Sequence, residues 1–237
     1  MYIFYAPEIN NNNLFTLPEE ESKHCIQVLR MKKGDEIQII DGAGNLYSGN
    51  ISVPDPHRCL IAVSKVTPEY HSKSYRLHVA IAPTRSSERF EWFLEKATEI
   101  GIDEITPLIC SRSERKNLRH DRMEKIIIAA MKQSVIARKP VLNALKKLDA
   151  FMKDLKDRKS YRFIAHCNEG IRENIRSLYN PGHNIICLIG PEGDFTYEEV
   201  ESAVQNGFHP VTLGINRLRT ETAGVVVCEV FSVLNEV

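Results

Sequence analysis

The 237 residues of this chain suffice for one large domain or for two smaller ones, each with its own core. No apolar run approaches the roughly 20 residues of a membrane-spanning helix, and the first residues lack the basic start and cleavage site of a signal peptide. The six cysteines are scattered singly, without the spacing of metal or redox motifs. We therefore expect a cytoplasmic protein with reduced thiols, no metal and no membrane attachment.

The net charge of zero conceals an uneven distribution of charge along the chain. Residues 71–160 carry 20 Lys and Arg against 12 Asp and Glu, whereas residues 1–70 carry 6 against 9 and residues 161–237 carry 5 against 10. Cations concentrate at Arg112, Arg115, Lys116, Arg119, Arg122 and Lys125. Such a run is either a solvated helix face or a surface that contacts nucleic-acid phosphates.

Up to about residue 70, short β-type runs alternate with turns. The predicted elements are a helix from about Glu20 to Leu29 and strands at Glu36–Ile40, Leu46–Ser52 and Arg58–Val66. Turn residues between the first two strands predict a hairpin. The pattern indicates a small β-barrel-like domain over residues 1–70, followed by a polar linker.

Beyond residue 74, strands and helices alternate. The predicted strands are Leu77–Ala82, Ile105–Ile109, Tyr161–His166, Asn184–Ile189 and Pro210–Leu213. The predicted helices are Glu88–Ile100, His120–Ala137, Leu148–Leu155, Ile171–Leu178, Thr196–Asn206 and Glu221–Leu234. This alternation predicts an α/β domain over residues 74–237, with right-handed βαβ units and a mostly parallel sheet covered on both faces.

The last predicted helix is apolar on almost its whole circumference. Between Val225 and Leu234 only Glu229 and Ser232 form a polar strip. A helix of this kind is buried on most sides. We expect it both to pack in the core and to form a subunit interface, which predicts a homodimer.

Two strands near the end of the chain run into glycine-containing turns, each followed by a helix. The first turn spans residues 189–194 and the second spans residues 213–219. In an open α/β sheet such turns lie at the carboxyl ends of strands, where ligands bind. Neither turn has a phosphate-binding pattern, and the acidic Glu192 and Asp194 suit a ligand with positive charge. A sulfonium nucleoside such as S-adenosyl-L-methionine fits better than a nucleotide.

Arg219 is the residue in the second turn that local structure explains least well. A cation at the start of a helix is poorly placed against the helix dipole, whereas Glu221 in the first turn and Thr220 as the N-cap are favourable. Arg219 is therefore expected either to pair with Glu221 or to face an anionic substrate. Arg219 and Glu221 are the catalytic candidates.

Several short segments, spread over both predicted domains, carry a family resemblance. They are His24 with Val28–Arg30 and Gly34–Asp35, then Glu95–Gly101 and Lys132–Ser134, and finally the two turns, with the words IGPEG and LRTETA. The chain resembles the SPOUT class of methyltransferases and, more closely, the small-subunit ribosomal RNA uridine N3-methyltransferase family, often called RsmE. The resemblance implies a trefoil-knotted SPOUT domain preceded by a PUA-like β-barrel. It also implies a homodimer that uses S-adenosyl-L-methionine to methylate one 16S rRNA uridine near the decoding centre.

The resemblance also suggests roles for individual residues. The cofactor is expected to contact Ile189, Gly190, Pro191, Glu192, Gly193, Leu213, Gly214, Leu218 and Thr220. RNA is expected to contact His24, Arg30, Arg85, Arg112, Arg115, Lys116 and Arg119. Arg219 would stabilise the anion that develops as uracil N3 loses its proton, and Glu221 would take that proton or orient Arg219. Because N3 lies on the pairing edge, the base must be unpaired or flipped.

The chain departs from its relatives in the two turns. Relatives commonly have glycine at the position of Asp194, and an arginine where this chain has Asn216 followed by Arg217. Three other functions remain open: a SPOUT enzyme acting on tRNA or 23S rRNA, a non-catalytic rRNA-binding assembly factor, and a small-molecule transferase unrelated to RNA. The intact glycines of the turns disfavour the second, and the basic middle segment disfavours the third.

Overall fold

The structure, a computed structural model, describes residues 2–10, 13–155, 159–168 and 173–236. It divides into two compact units. The first unit comprises Met1–Ser72 and Ile128–Lys139, and the second comprises Lys73–Ile127 and Pro140–Val237.

Thirteen strands and seven helices are assigned among the described residues. The strands are β1 Ile3–Tyr5, β2 Leu14–Thr16, β3 Glu36–Ile40, β4 Leu46–Val53, β5 Leu60–Thr67, β6 Leu77–Ile81, β7 Glu104–Ile109, β8 Val141–Leu142, β9 Lys146–Lys147, β10 Tyr161–Ala165, β11 Glu173–Asn174, β12 Ile185–Ile189 and β13 His209–Thr212. The helices are α1 Glu19–Lys23, continued by a π-helical turn at His24–Val28, α2 Ser87–Ile100, α3 His120–Ser134, α4 Leu148–Lys153, α5 Ile175–Leu178, α6 Tyr197–Gln205 and α7 Thr220–Asn235.

The first unit is built on a five-stranded sheet with the order β1-β3-β4-β5-β2. The pairing of β1 with β3 is parallel and the other pairings are antiparallel. Its core includes Phe4, Leu17, Ile39, Ile51 and Ile61, all buried. The predicted small β domain is therefore confirmed, although β1 and β2, of three residues each, were not predicted.

The second unit contains a parallel sheet with the order β11-β13-β10-β12-β6-β7-β8, and β9 also pairs with β7. Neighbouring residues of β10 show that both faces of this sheet are covered. Ile164 belongs to a buried cluster with Phe151 of α4 and Phe208, whereas the ring of Phe163 stacks on Phe231 of α7, with the ring centroids 5.8 Å apart. The predicted α/β domain with a parallel sheet is thus confirmed.

Several predicted helices are shorter in the structure. The helix predicted to reach Ala137 ends at Ser134, because Val135 has a φ of +58° that a right-handed helix does not accommodate. Residues 171 and 172 of the predicted helix Ile171–Leu178 lie outside the described residues. The next two residues are strand β11, and the helix begins only at Ile175.

Helix α7 packs through one side against α2 and β6 of its own unit. Gly224 makes the close approach possible, because a Cβ atom there would lie 2.5 Å from the ring of Phe93. Val227, Cys228 and Phe231 are buried on the same side. The opposite side stays partly accessible, with Val233 53% exposed. In the described part of the chain, no helix has the length and apolar character needed to cross a membrane.

Candidate active site

A cavity of about 630 Å³ lies where β10, β12 and β13 end. Three loops form its walls: residues 165–167 after β10, residues 189–194 after β12, and residues 211–220 leading into α7. Its volume is within the range of small-molecule and cofactor sites. The lining residues are Ala165, His166, Cys167, Ile189, Gly190, Pro191, Glu192, Asp194, Val211, Thr212, Leu213, Gly214, Ile215, Asn216, Arg217, Leu218, Arg219, Thr220 and Ala223.

The cavity brings together most of the predicted cofactor residues. Ile189, Gly190, Pro191, Glu192, Leu213, Gly214, Leu218 and Thr220 all line it, and Gly193 does not. Sequence analysis missed the wall formed by Ala165, His166 and Cys167. Strand β10 is followed by no glycine turn, so only the parallel pairing of β10 with β12 and β13 reveals that its end lies at the site.

The loop after β12 is shaped by contacts with its own neighbours. A Cβ atom at Gly190 would lie 3.0 Å from the ring of the fully buried Phe195. A side chain at 190 would therefore press against Phe195, which favours glycine at this position.

The two acidic residues of this loop are engaged with backbone N–H groups. Asp194 has a φ of +63°, and its carboxylate accepts hydrogen bonds from the N–H of Cys167 and of Phe195, both at 2.8 Å. The Glu192 carboxylate accepts a hydrogen bond from the N–H of Arg85 at 2.8 Å. Both carboxylates therefore fix loop geometry as well as giving the cavity negative charge.

The second loop is tied to the first by a side chain. Thr220 Oγ1 donates a hydrogen bond to the carbonyl oxygen of Gly190 at 3.1 Å, in a buried position. The prediction of Thr220 as the N-cap is wrong, because the N-cap is Arg219, which makes no side-chain capping bond. Gly214 adopts a φ of +146°, a backbone conformation that residues other than glycine rarely adopt.

Arg219 and Glu221 lie in different surroundings. Arg219 is exposed, lines the cavity, and has no ion pair or side-chain hydrogen bond with any residue that the structure describes. Arg217, by contrast, donates a long hydrogen bond of 3.4 Å to the carbonyl oxygen of Glu192. Arg217, which stands one position after the arginine of the relatives, is thus tied to the first loop, whereas Arg219 is available to a substrate.

Glu221 is 5% exposed, and the expected pair between Glu221 and Arg219 is not present. Its Oε1 atom instead lies 3.8 Å from Nε of Arg89 on α2. Its Oε2 atom is buried and receives no hydrogen bond from the described residues. Sequence analysis missed Arg89, since nothing in its local pattern distinguishes it from a solvated helix residue.

The basic candidates of the second unit lie in the loops after β6 and β7. Arg112 Nη1 donates a hydrogen bond to the carbonyl oxygen of Gly193 at 2.8 Å, and Arg115 Nη2 donates one to the carbonyl oxygen of Arg85 at 3.0 Å. Arg119 pairs with Asp121 at 3.6 Å. Arg85, Arg115 and Lys116 line a second, shallow cavity of about 450 Å³. Two of these arginines are therefore also part of the loop framework.

The two candidates of the first unit, His24 and Arg30, are both exposed. The ring of His24 meets the ring of Phe4 edge-on, with centroids 6.3 Å apart. Arg30 has a φ of +56°, at the end of the π-helical turn. Both side chains are thus accessible to a partner.

Two family models match the chain. One, described as an RNA methyltransferase domain, matches residues 71–232, and the other, described as an RNA methyltransferase PUA domain, matches residues 17–64. The first alone covers more than half of the chain.

Relatives of known name and known structure match over almost the full length. The ribosomal RNA small subunit methyltransferase E of Mesomycoplasma hyopneumoniae is 31% identical over 95% of this chain and 96% of the relative, and that of Aquifex aeolicus is 28% identical over 97% and 98%. A probable rRNA methyltransferase from Porphyromonas gingivalis has a TM-score of 0.91 with 39% identity, covering 99% of this chain and 98% of the relative.

A ribosomal RNA small subunit methyltransferase E from Neisseria gonorrhoeae, solved with bound S-adenosyl methionine, has a TM-score of 0.88 with 25% identity over 99% and 98% of the two chains. These matches confirm the family suggested by the two glycine turns. The chain belongs to the ribosomal RNA small subunit methyltransferase E family.

Proposed function

We propose that this chain transfers the methyl group of S-adenosyl-L-methionine to N3 of one uridine in the decoding region of 16S rRNA, within the small ribosomal subunit. Family membership confirms the predicted class, an S-adenosyl-L-methionine-dependent rRNA methyltransferase, and the predicted cofactor. The choice of N3 follows the family resemblance, and one observation supports it. Arg219, permanently charged and without a partner among the described residues, lines a cavity in which two of the three walls are glycine turns.

The residues of the cavity fit the cofactor chemically. Ile189, Leu213 and Leu218 offer apolar surface to an adenine ring, and the main chain of the two glycine turns offers donors and acceptors. Glu192 and Asp194 supply negative charge that favours a sulfonium. We therefore assign the cofactor to Ile189, Gly190, Pro191, Glu192, Leu213, Gly214, Leu218 and Thr220, with Gly193 supporting the turn from behind. When bound, the cofactor supplies an electrophilic methyl group on its sulfur.

The substrate sets the chemical demand. Uracil N3 carries a proton in the neutral base, and its loss places negative charge on O2 and O4. A guanidinium that already faces the site stabilises this charge without reorganisation, which is the role we assign to Arg219. Arginine stays protonated at any working pH, so it cannot serve as the base.

Glu221 is the group that we assign to the proton. Buried polar atoms in proteins usually have a hydrogen-bond partner, and Oε2 of Glu221 receives no hydrogen bond from the described residues. The N3–H of a flipped uracil is a donor of the required kind. Because Glu221 is buried and is not among the residues that line the cavity, this proton reaches Oε2 only if the start of α7 moves when RNA binds. Arg89, 3.8 Å from Oε1, balances the carboxylate charge and holds its orientation.

RNA is proposed to contact basic side chains in both units. These are His24 and Arg30 in the first unit, and Arg85, Arg112, Arg115, Lys116 and Arg119 in the second. Their positive charge supplies the part of RNA affinity that does not depend on sequence and that salt weakens.

The remaining features of the proposal concern organisation. We propose a PUA-like RNA-binding domain over residues 1–70 and a SPOUT domain over residues 74–237, whose chain forms a trefoil knot where the turns at 190 and 220 meet. The accessible apolar side of α7 supports a homodimer, since a surface of this kind is stabilised by burial. Because the substrate is a ribosomal subunit, we place the reaction in the cytoplasm.

The test compares small-subunit rRNA from cells with and without this gene. An N3-methyl group blocks base pairing, so reverse transcriptase stops at the modified uridine. We expect one stop in the decoding region in cells that have the gene. The stop should be absent from cells without the gene and should return when a plasmid supplies it. A change confined to tRNA or 23S rRNA would instead favour a SPOUT enzyme with another substrate, and unchanged RNA of all classes would favour a non-catalytic assembly factor.

A further inference from the structure

We infer that Arg112 couples the binding of substrate RNA to the cofactor site, by holding the turn at Gly193 while it contacts an RNA phosphate. This inference rests on the proposed function. It makes Arg112 a positioning residue for the cofactor wall in addition to a phosphate contact.

The contact between Arg112 and Gly193 involves the whole side chain. Nη1 donates a hydrogen bond to the Gly193 carbonyl oxygen at 2.8 Å. The aliphatic stem lies against the Gly193 Cα, since a Cβ atom built there would be 3.3 Å from Cβ and 3.4 Å from Cδ of Arg112. Glycine thus lets the arginine pack flat on the turn, and a displacement of the guanidinium would pull on the turn itself.

Neither Gly193 nor Arg112 lines the cavity, although the neighbours of Gly193 in the turn do. Pro191, Glu192 and Asp194 line the cavity, whereas Gly193 does not and carries Arg112 instead. A shift of the Gly193 carbonyl therefore moves residues on both sides of it that form the cavity wall.

The segment that carries Arg112 is also bonded to the start of α6, which directly follows the turn. The N–H and the hydroxyl of Ser111 both donate hydrogen bonds to Oε1 of Glu199, at 2.7 and 3.0 Å. Glu199 also closes the capping box of α6 with Thr196, directly after the turn. The loop after β7 is therefore bonded both to the turn after β12, through Arg112, and to the start of the helix that follows this turn, through Ser111.

Arg112 retains the capacity to bind RNA while it holds the turn. A guanidinium has five N–H donors in a planar fork, and the structure records one hydrogen bond from it, to Gly193. The side chain is exposed, so the other donors are accessible to a phosphate oxygen. A phosphate bound there would fix the guanidinium and with it the turn. Because coupling between two sites is reciprocal, an ordered turn would also favour RNA binding.

The test measures the affinity of the protein for purified small ribosomal subunits that lack the modification. It is measured with and without saturating S-adenosylhomocysteine, the unreactive product, and the coupling ratio is the affinity with this product divided by the affinity without it. For the unaltered protein we expect the product to tighten subunit binding by about fivefold or more, the lower end of common coupling factors. In Arg112→Met the coupling ratio should fall to about one, so that the product no longer changes subunit binding. Lys116→Met is the matched control, because Lys116 lies in the same loop and has no side-chain bond to the described residues. It should weaken subunit binding but keep the ratio.

A second variant separates the contact from the charge. Gly193→Val leaves every charge in place, and its two methyl groups extend beyond a Cβ position that is already 3.3 Å from Cβ of Arg112, so it should displace the Arg112 stem and also lower the ratio. A full ratio in either Arg112→Met or Gly193→Val, or no coupling in the unaltered protein, would overturn the inference. If the unaltered protein binds no subunits at all, the proposed substrate is wrong, which is a separate result.

Discussion

Thr220 and Gly190 join two of the three loops of the site through one buried hydrogen bond, from the Thr220 hydroxyl to the Gly190 carbonyl at 3.1 Å. The bond links the first turn of α7 to the end of β12. Thr220 is the first residue of α7, so the N-cap position belongs to Arg219. The shape of the cavity wall thus depends on the first turn of α7.

Thr220→Val removes this bond with little change in volume. The Gly190 carbonyl would lose its donor in a buried position, which typically costs about 1–3 kcal/mol of folding free energy. We expect a lower denaturant midpoint and weaker S-adenosyl-L-methionine binding by calorimetry. Thr222→Val, a half-buried threonine of the same helix, is the control. Equal effects of the two variants would show that the bond is unimportant.

Arg219→Met should reduce the methylation rate by about 10²–10³, the usual loss for one charge donor. Folding should be at least as stable, because a cation is removed from a helix N-terminus. Cofactor affinity and the pH dependence of turnover should stay unchanged. Single-turnover methylation of small subunits measures this, with Arg217→Met in parallel. If Arg217→Met were inactive and Arg219→Met nearly normal, the stabilisation of the developing anion would belong to Arg217.

Cys167 provides a probe of the cavity. It is the exposed cysteine among the six, and it lines the cavity. The others are buried. Burial raises the pKa of Cys110 and Cys187 and raises the pKa of Cys228 to about 12, so the thiolates of these three are scarce. The pKa of Cys59 is lowered by its hydrogen bond with Cys25, but Cys59 is fully buried and therefore out of reach of a reagent. A thiol reagent should label one cysteine quickly, and saturating S-adenosylhomocysteine should slow that labelling. Undiminished labelling, with Cys167→Ser confirming the site, would place the cofactor elsewhere.

Val233→Asp should dissociate the proposed homodimer without unfolding the chain. Val233 is 53% exposed on the accessible side of α7, so a charge there would be tolerated in a monomer but buried without a partner at an interface. Val204→Asp, at a valine 46% exposed on α6, is the control and should remain a dimer. Sedimentation velocity at micromolar concentration distinguishes the species, and a monomeric unaltered protein would contradict the proposal.

The sequence predicted the features that depend on local pattern. A helix was predicted to begin at Thr196, and the structure starts it there with both bonds of a capping box between Thr196 and Glu199. A helix was predicted to end at Ile100, and α2 does end there, followed by Gly101 with a φ of +98°. The glycine turns marked two of the three cavity walls, because residues next to one another in sequence form each turn.

Features that depend on tertiary contacts could not be predicted in the same way. The pair of Arg89 with Glu221 and the contact of Arg112 with Gly193 join residues distant in sequence. No local pattern distinguishes such an arginine from a solvated one. Asp194 shows the same limit, since its carboxylate binds the N–H of Cys167 on another strand end.

The central claim is tested most directly by methylation in a purified system. Unmodified small ribosomal subunits, the protein and methyl-labelled S-adenosyl-L-methionine are incubated, and the digested rRNA is analysed by mass spectrometry. The account predicts one methyl group per 16S rRNA, on N3 of a uridine in the decoding region. Label on a ribose hydroxyl or on another base, or subunits that stay unlabelled while tRNA or 23S rRNA is methylated, would contradict it.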